Sequence, residues 1–130
     1  MMHNKGIALL LALFTLVIIS LLAVAFLETT TIDLQIVGNQ LKRNQALYIA
    51  DAGVEYAVSC LKTSKANINY SAQLPPGSGN TYSVTYVSSS GIITSTGTLA
   101  SLESVTLKAK VSVTGAITPY SVKILYWREL

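Results

Sequence analysis

The chain has 130 residues, which is enough for one small domain. Its residues are 51% hydrophobic and 12% charged, a low charged fraction for a soluble protein. The net charge is +3, but the basic residues are dispersed and no run interleaves them with aromatic residues, so the sequence predicts no nucleic-acid partner. Cys60 is the single cysteine, which excludes an intrachain disulfide and a cysteine-based metal site.

The first predicted element is an apolar helix over residues 7–27. This segment carries no charge and only two hydroxyl groups, and it reaches the roughly 20 residues that a helix needs to cross a bilayer. Lys5 precedes it, so the positive-inside rule predicts a cytoplasmic N-terminus. The remainder of the chain would then lie outside the inner membrane.

Two other interpretations of this block stay open. A secretory signal peptide would be cut after Ala25, within the small-residue sequence Ala23-Val24-Ala25. Against it, the apolar core exceeds the usual roughly 7–15 residues of a signal peptide, and the apolar pattern continues through Leu27. An uncleaved membrane anchor is the remaining interpretation.

A second, amphipathic segment, residues 28–65, is predicted to continue the helix. Between Glu28 and Thr63 there is no proline, and apolar residues recur at separations of three and four. They are Leu47, Ala50, Val54, Ala57, Val58 and Leu61. We therefore predict one helix of about 55 residues, roughly 80 Å long. A break at Gly38-Asn39 is the alternative, because glycine costs about 1 kcal/mol relative to alanine in a helix.

Beyond this helix, residues 66–130 are predicted to form an antiparallel sheet. A loop over residues 73–80 contains Pro-Pro-Gly and Gly-Asn, both strong breakers of regular structure. Four segments of alternating polarity follow, joined by short polar connections. They read YSVTYV, GIITSTGT, SVTLKAKVSV and YSVKILYW. The predicted fold class is α+β, with a four-stranded sheet packed on the amphipathic half of the helix while the apolar half protrudes.

A series of short motifs runs through the predicted helix. They are Gly6-Ile7-Ala8-Leu9, Thr29-Thr30-Thr31, Gly38, Asn39, Arg43, Asn44, Gln45, Ala46, Ala50, Asp51, Ala52, Gly53, Val54 and Glu55. Over residues 6–57 this series resembles the N-terminal module of PilX-type minor pilins, within the type IV pilins and pseudopilins. The closing ILYWREL is more weakly similar to the tails of such proteins.

The resemblance implies a type IV pilin-like fold and a processing route. A prepilin peptidase would remove residues 1–6 by cutting between Gly6 and Ile7, and Ile7 would then be N-methylated. The helix would anchor the subunit in the inner membrane and later pack among other pilin subunits, delivered by an assembly platform. The product would be a cell-surface pilus or a periplasmic pseudopilus, and the resemblance covers pilus, secretion and DNA-uptake machines alike.

Leu11 departs from the pattern of the major pilins. Those proteins usually have Glu as the fifth mature residue, where its carboxylate pairs with the N-terminal amine of a neighbouring subunit. Leu11 occupies this position and cannot offer a carboxylate. Glu28 lies about 25 Å further along the helix, too far to substitute. The absence implies a rare subunit, in a tip or initiation complex, in place of the main repeating one.

The sequence contains no catalytic constellation. The one histidine, His3, falls in the predicted leader, and the six acidic residues do not cluster with metal-ligand spacing. Asp51 and Glu55 are predicted to form a solvated or salt-bridging face of the helix. No enzyme activity, metal or cofactor is therefore predicted. The rival function is a small β-rich binding module, either tethered by the uncleaved helix or secreted after a cut at Ala25.

Overall fold

A computed structural model describes residues 3–130, with side chains described from Gly6 onwards. Met1 and Met2 of the predicted leader lie outside the described residues. The elements in chain order are helix α1 (His3–Leu61) and strands β1 (Ile68–Gln73), β2 (Thr81–Val87), β3 (Ile92–Thr98), β4 (Ser104–Thr114) and β5 (Ser121–Glu129). The chain divides into two compact units, one ending at Asn39 and the other spanning Gln40–Leu130.

Helix α1 confirms the long N-terminal helix. It is continuous through Gly38-Asn39, so the alternative of two helices is wrong. A side chain at Gly38 would meet no atom within 4 Å, so this glycine adds only its propensity cost of about 1 kcal/mol to a 59-residue helix. After Leu61 the chain leaves the helix through a turn in which the Ser64 amide donates to the Cys60 carbonyl at 2.9 Å.

The sheet has five strands and not the four predicted from the sequence. The strands follow one another as an antiparallel meander in the order β1-β2-β3-β4-β5. The strand missed is β1, INYSAQ, an edge strand that pairs only with β2. Its alternating residues Ile68, Tyr70 and Ala72 are only partly buried or exposed, so the strand carries a short and weak period-two pattern.

The core lies between the sheet and the second half of α1. Strands β2 and β4 bury the residues predicted from their alternation, such as Val84 and Leu107. The residues between them are exposed in β2 and partly buried in β4. The predicted apolar stripe of the helix is also confirmed. Of its predicted members, Ala50, Val54, Ala57 and Leu61 are buried. Ala46 and Ile49, which the prediction did not include, are buried beside them. Leu47 and Val58 are partly buried at the margins of the stripe.

Small residues let the helix approach the sheet closely at strand β3. A methyl carbon built on Gly97 would overlap the Ala46 carbonyl oxygen and the Ala50 amide nitrogen. The neighbouring inward residue, Ser95, is fully buried and donates from Oγ to the Ala50 carbonyl at 2.7 Å. A methyl carbon built on Gly53 of the helix would overlap Ser95 Oγ. The contact between α1 and β3 is therefore set by backbone atoms and one buried hydroxyl.

Candidate functional site

The first candidate site is the apolar surface of α1 between Ile7 and Leu27. Its large side chains are exposed, as Leu11 (60%) and Phe14 (62%) illustrate. The helix is long and apolar enough to cross a membrane by length and composition. Exposed apolar surface of this extent marks a membrane or subunit contact, because soluble monomers do not leave such patches uncovered. This half of α1 fits a membrane anchor.

The few polar side chains of this region are satisfied inside the helix. Thr15 donates to the Ala12 carbonyl and Ser20 to the Leu16 carbonyl, both at 2.8 Å. The Thr29-Thr30-Thr31 motif repeats the arrangement, since each hydroxyl donates to the carbonyl four residues earlier. No hydroxyl of these five side chains therefore needs water as an acceptor, which suits a helix surrounded by lipid or by apolar neighbours.

The predicted processing residues lie at the start of this surface. Gly6 is exposed, and a side chain built on it would meet no atom within 4 Å. Ile7, Leu10, Leu11 and Phe14 together line a shallow depression of about 240 Å³ without polar atoms. Leu11 thus offers the same kind of contact as its apolar neighbours, and no charged group lies within the depression.

The later motif residues divide between the buried core and the surface of helix α1. Ala46, Ala50, Gly53 and Val54 are buried, and the first three lie where the helix meets β3. The remaining motif residues of α1 are exposed or partly buried: Gly38, Asn39, Arg43, Asn44, Gln45, Asp51, Ala52 and Glu55. The motif therefore combines the small residues that seat the helix on the sheet with a set of polar residues beside them.

Among the described residues, two ion pairs join α1 to the second half of the chain, one to strand β5 and one to the loop before β4. Arg43 donates to Glu129 Oε1 of β5 from Nη2 at 2.7 Å and from Nε at 3.1 Å. Lys42 contacts Glu103 at 3.4 Å. The Glu103 pKa is lowered, chiefly by the hydrogen bond from Ser101 and next by Lys42. Glu129 belongs to the closing ILYWREL, so Arg43 of the motif is in direct contact with the C-terminal strand.

Asp51 and Glu55 make no ion pair among the described residues. Together with Val54 they form the helix side of an open groove of about 470 Å³, whose other side is residues 124–127 of β5. Trp127 is 57% exposed there. The prediction of a solvated or salt-bridging face is thus resolved in favour of the solvated one.

The remaining titratable side chains include potential metal ligands and the free thiol of Cys60. Among the side chains that the structure describes, from Gly6 onwards, no three His, Cys, Asp or Glu residues lie close enough to hold a metal ion. Cys60 is a half-buried free thiol next to the aromatic cluster of Tyr56, Tyr70 and Tyr82. Tyr56 and Tyr70 stack with their ring centroids 4.4 Å apart, so these side chains pack the edge of the core.

The comparison with known families bears on the N-terminal segment. Residues 5–55 match the PilX N-terminal family. The match confirms the resemblance to PilX-type pilins, and it covers every motif residue from Gly6 to Glu55. The matched segment ends within α1, so the strands lie beyond it. No curated protein and no solved structure matches the chain.

The sequence did not indicate one further surface, the face of β4 and β5 that points away from the helix. It gathers Lys108, Lys110, Lys123 and Arg128. These residues are dispersed along the chain, and the pairing of the two strands brings them together.

Proposed function

We propose that the chain is a non-catalytic minor pilin or pseudopilin that joins or primes a type IV filament. One observation carries the proposal. The segment that matches the PilX N-terminal family contains a helix with exposed apolar side chains and internally satisfied hydroxyls. Such a helix is suited to exchange lipid for the same helix of other subunits.

The proposed route begins in the inner membrane. Lys5 keeps the N-terminus in the cytoplasm, and the Gln40–Leu130 unit lies on the outer side. A prepilin peptidase cuts between Gly6 and Ile7, and the new amine of Ile7 is methylated. The exposed Gly6 supports this step, because a side chain built there would meet no atom within 4 Å beyond its own helical turn.

Assembly then moves residues 7–27 from lipid into a bundle of neighbouring stems. Lipid tails and leucine side chains are about equally apolar, so this transfer meets no large hydrophobic penalty. Packing and polar pairing decide its direction, while a separate assembly machine supplies the work. The partners are therefore other pilin subunits, the prepilin peptidase and the assembly platform.

Leu11 supports a rare position for this subunit in the filament. A buried carboxylate at this position would need a partner, since an unpaired buried charge costs several kcal/mol. Leu11 is uncharged and needs no partner, and it gives the subunit no carboxylate to bind a neighbour's N-terminal amine. The subunit still has an amine to offer to a neighbour. It therefore suits a tip or initiation complex better than the repeating shaft.

The test is Gly6→Val in cells that contain the prepilin peptidase. We expect the variant to keep its leader, to retain the mass of the full chain and to be lost from sheared filaments. Gly38→Val is the matched control, because it adds the same side chain to the same helix at a position that also has no atom within 4 Å. If Gly6→Val were processed and incorporated like the control, the proposed route would be wrong.

A further inference from the structure

The outward face of β4 and β5 carries an uncompensated cluster of cations. Leu107, Ala109 and Val111 of β4 face the helix, so Lys108 and Lys110 face away from it. Residues directly opposite each other in an antiparallel pair share a face. In this register Lys108 lies opposite Arg128, Lys110 opposite Tyr126, and Ser112 opposite Lys123.

A β-bulge brings Lys123 to this face. Strand β5 is shifted by one residue relative to β4 between Lys110 and Val111. Without that extra residue, strict alternation would place Lys123 on the same side as Trp127, which lies opposite Ala109 on the inward face. The bulge therefore completes the cluster of Lys108, Lys110, Lys123 and Arg128, which we call the basic face.

No acidic side chain balances the basic face within the part of the chain that the structure describes. Glu103 and Glu129 are paired with Lys42 and Arg43 of the helix. The other four acidic residues lie on α1. Like charges directly opposite in a sheet are destabilising, and Lys108 and Arg128 form such a pair. A bound anion would remove this repulsion.

An aromatic ring lies within the basic face. Tyr126 is 55% exposed, sits opposite Lys110 and is two residues from Arg128 on the same strand. A small pocket of about 110 Å³ lies here, and its lining includes Ile92, Lys108, Lys110, Tyr126 and Arg128. Thr94 of β3 lies opposite Lys108 and adds a hydroxyl donor to the same face. The face thus offers cations, a hydroxyl and a flat ring to one ligand.

We propose that the basic face binds single-stranded nucleic acid. Lys108 and Lys110 are about 6.8 Å apart along the strand, so they can meet successive charges of a chain polyanion. The Tyr126 ring can stack on an unpaired base, the combination that single-strand binding surfaces use. The bases of a duplex are already stacked on one another, and lipid headgroups or acidic peptides have the charge without the planar base. This inference does not depend on the filament assignment.

The test measures the salt dependence of binding by the full chain in non-ionic detergent. The probe is a fluorescein-labelled oligo(dT) strand of about 20 nucleotides, followed by fluorescence anisotropy. Four phosphate contacts predict a slope of about −2.8 in log K against log salt, or a loss of about 50-fold between about 50 and 200 mM. The variant K108Q/K110Q leaves two contacts, so its loss over the same range is expected to be about 7-fold.

The matched control is K62Q/K65Q, which removes the same charge from residues outside the basic face. It is expected to keep the loss of about 50-fold. Tyr126→Ala is expected to weaken binding about 5- to 150-fold with an unchanged salt slope, since the ring carries no charge. Tyr126→Phe retains the ring and is expected to bind like the original chain.

Four results would overturn the proposal. Equal effects of the two double variants would mean that the net charge of the whole chain attracts the strand. No loss in Tyr126→Ala would mean that the bases are not recognised. Binding to vesicles containing phosphatidylglycerol, sensitive to K108Q/K110Q but not to Tyr126→Ala, together with no preference for the strand, would identify a lipid-binding face. Absence of any binding at low salt would exclude the site altogether.

Discussion

Gly97→Ala tests the close contact between the helix and the sheet. Gly97 lies in β3 with an ordinary backbone conformation, so alanine is not disfavoured there by its dihedral angles. The added methyl would overlap the Ala46 carbonyl oxygen and the Ala50 amide nitrogen, and would lie 3.1 Å from the Ala50 Cα. All three are backbone atoms of a helix, which cannot rotate aside as a side chain can.

The expected cost follows from that rigidity. Overpacking a core costs typically about 1–3 kcal/mol, and the upper end applies where the helix itself must shift. For a unit of about 90 residues each kcal/mol lowers the melting temperature by about 4–8 °C, so a loss of about 3 kcal/mol corresponds to about 12–24 °C. Such a loss is a large share of the roughly 5–15 kcal/mol that stabilises a typical domain.

The assay is urea and thermal unfolding of the full chain in non-ionic detergent, followed by the fluorescence of Trp127, the single tryptophan. Gly38→Ala is the control, because the same methyl group meets no atom within 4 Å there. We expect no loss of stability in this variant, since alanine favours helix by about 1 kcal/mol over glycine. A Gly97→Ala variant within about 1 kcal/mol of the original chain would refute the close approach, because overpacking costs more.

Two further predictions concern the same unit. Gly53→Ala is expected to destabilise it by about 1–3 kcal/mol through overlap with Ser95 Oγ, and Ser95→Ala by about 1 kcal/mol through its lost hydrogen bond. The double variant Gly53→Ala/Ser95→Ala is expected to lose less unfolding free energy than the two single variants together, since Ser95→Ala removes the overlapping oxygen. Additivity of the two losses within about 0.5 kcal/mol would contradict this. The folded-state pKa of Glu103 is lowered, so its stabilisation is present above its unfolded pKa and lost as the pH falls through the folded value. Glu103→Gln is expected to reduce the loss of unfolding free energy between neutral and acidic pH, measured by urea unfolding at each pH. An unchanged loss would argue against the contacts of Glu103 with Ser101 and Lys42.

The sequence predicted the elements whose alternation or periodicity spans several residues. The helical stripe between Leu47 and Leu61 and the alternating strand β4 carry enough apolar side chains to identify their buried faces. Strand β3 shows the limit of this reasoning. Its inward residues include Ser95 and Gly97, which are selected by the closeness of the helix and not by hydrophobicity. That closeness depends on tertiary packing, which a local pattern does not contain.

The candidate surfaces differ in the same way. The apolar surface of α1 follows from composition alone, because residues 7–27 form one uninterrupted block. The basic face does not, since Lys108 and Arg128 become neighbours only through the pairing of β4 and β5. The position of Lys123 also depends on the bulge, which reverses the side that strict alternation assigns to it. Register and bulges are set by the whole sheet, so the patterns of single strands could not predict that these four basic residues share one face.

The most direct test of the pilin account is the N-terminal residue of the mature protein, determined by mass spectrometry on membranes and sheared filaments. Cleavage after Gly6 predicts a chain that begins at Ile7 and carries an N-methyl group on that residue. A chain that still begins at Met1 would identify an uncleaved anchor. A chain that begins at Phe26 would identify an ordinary secreted protein. Either of these two results would contradict the proposed processing and filament assembly.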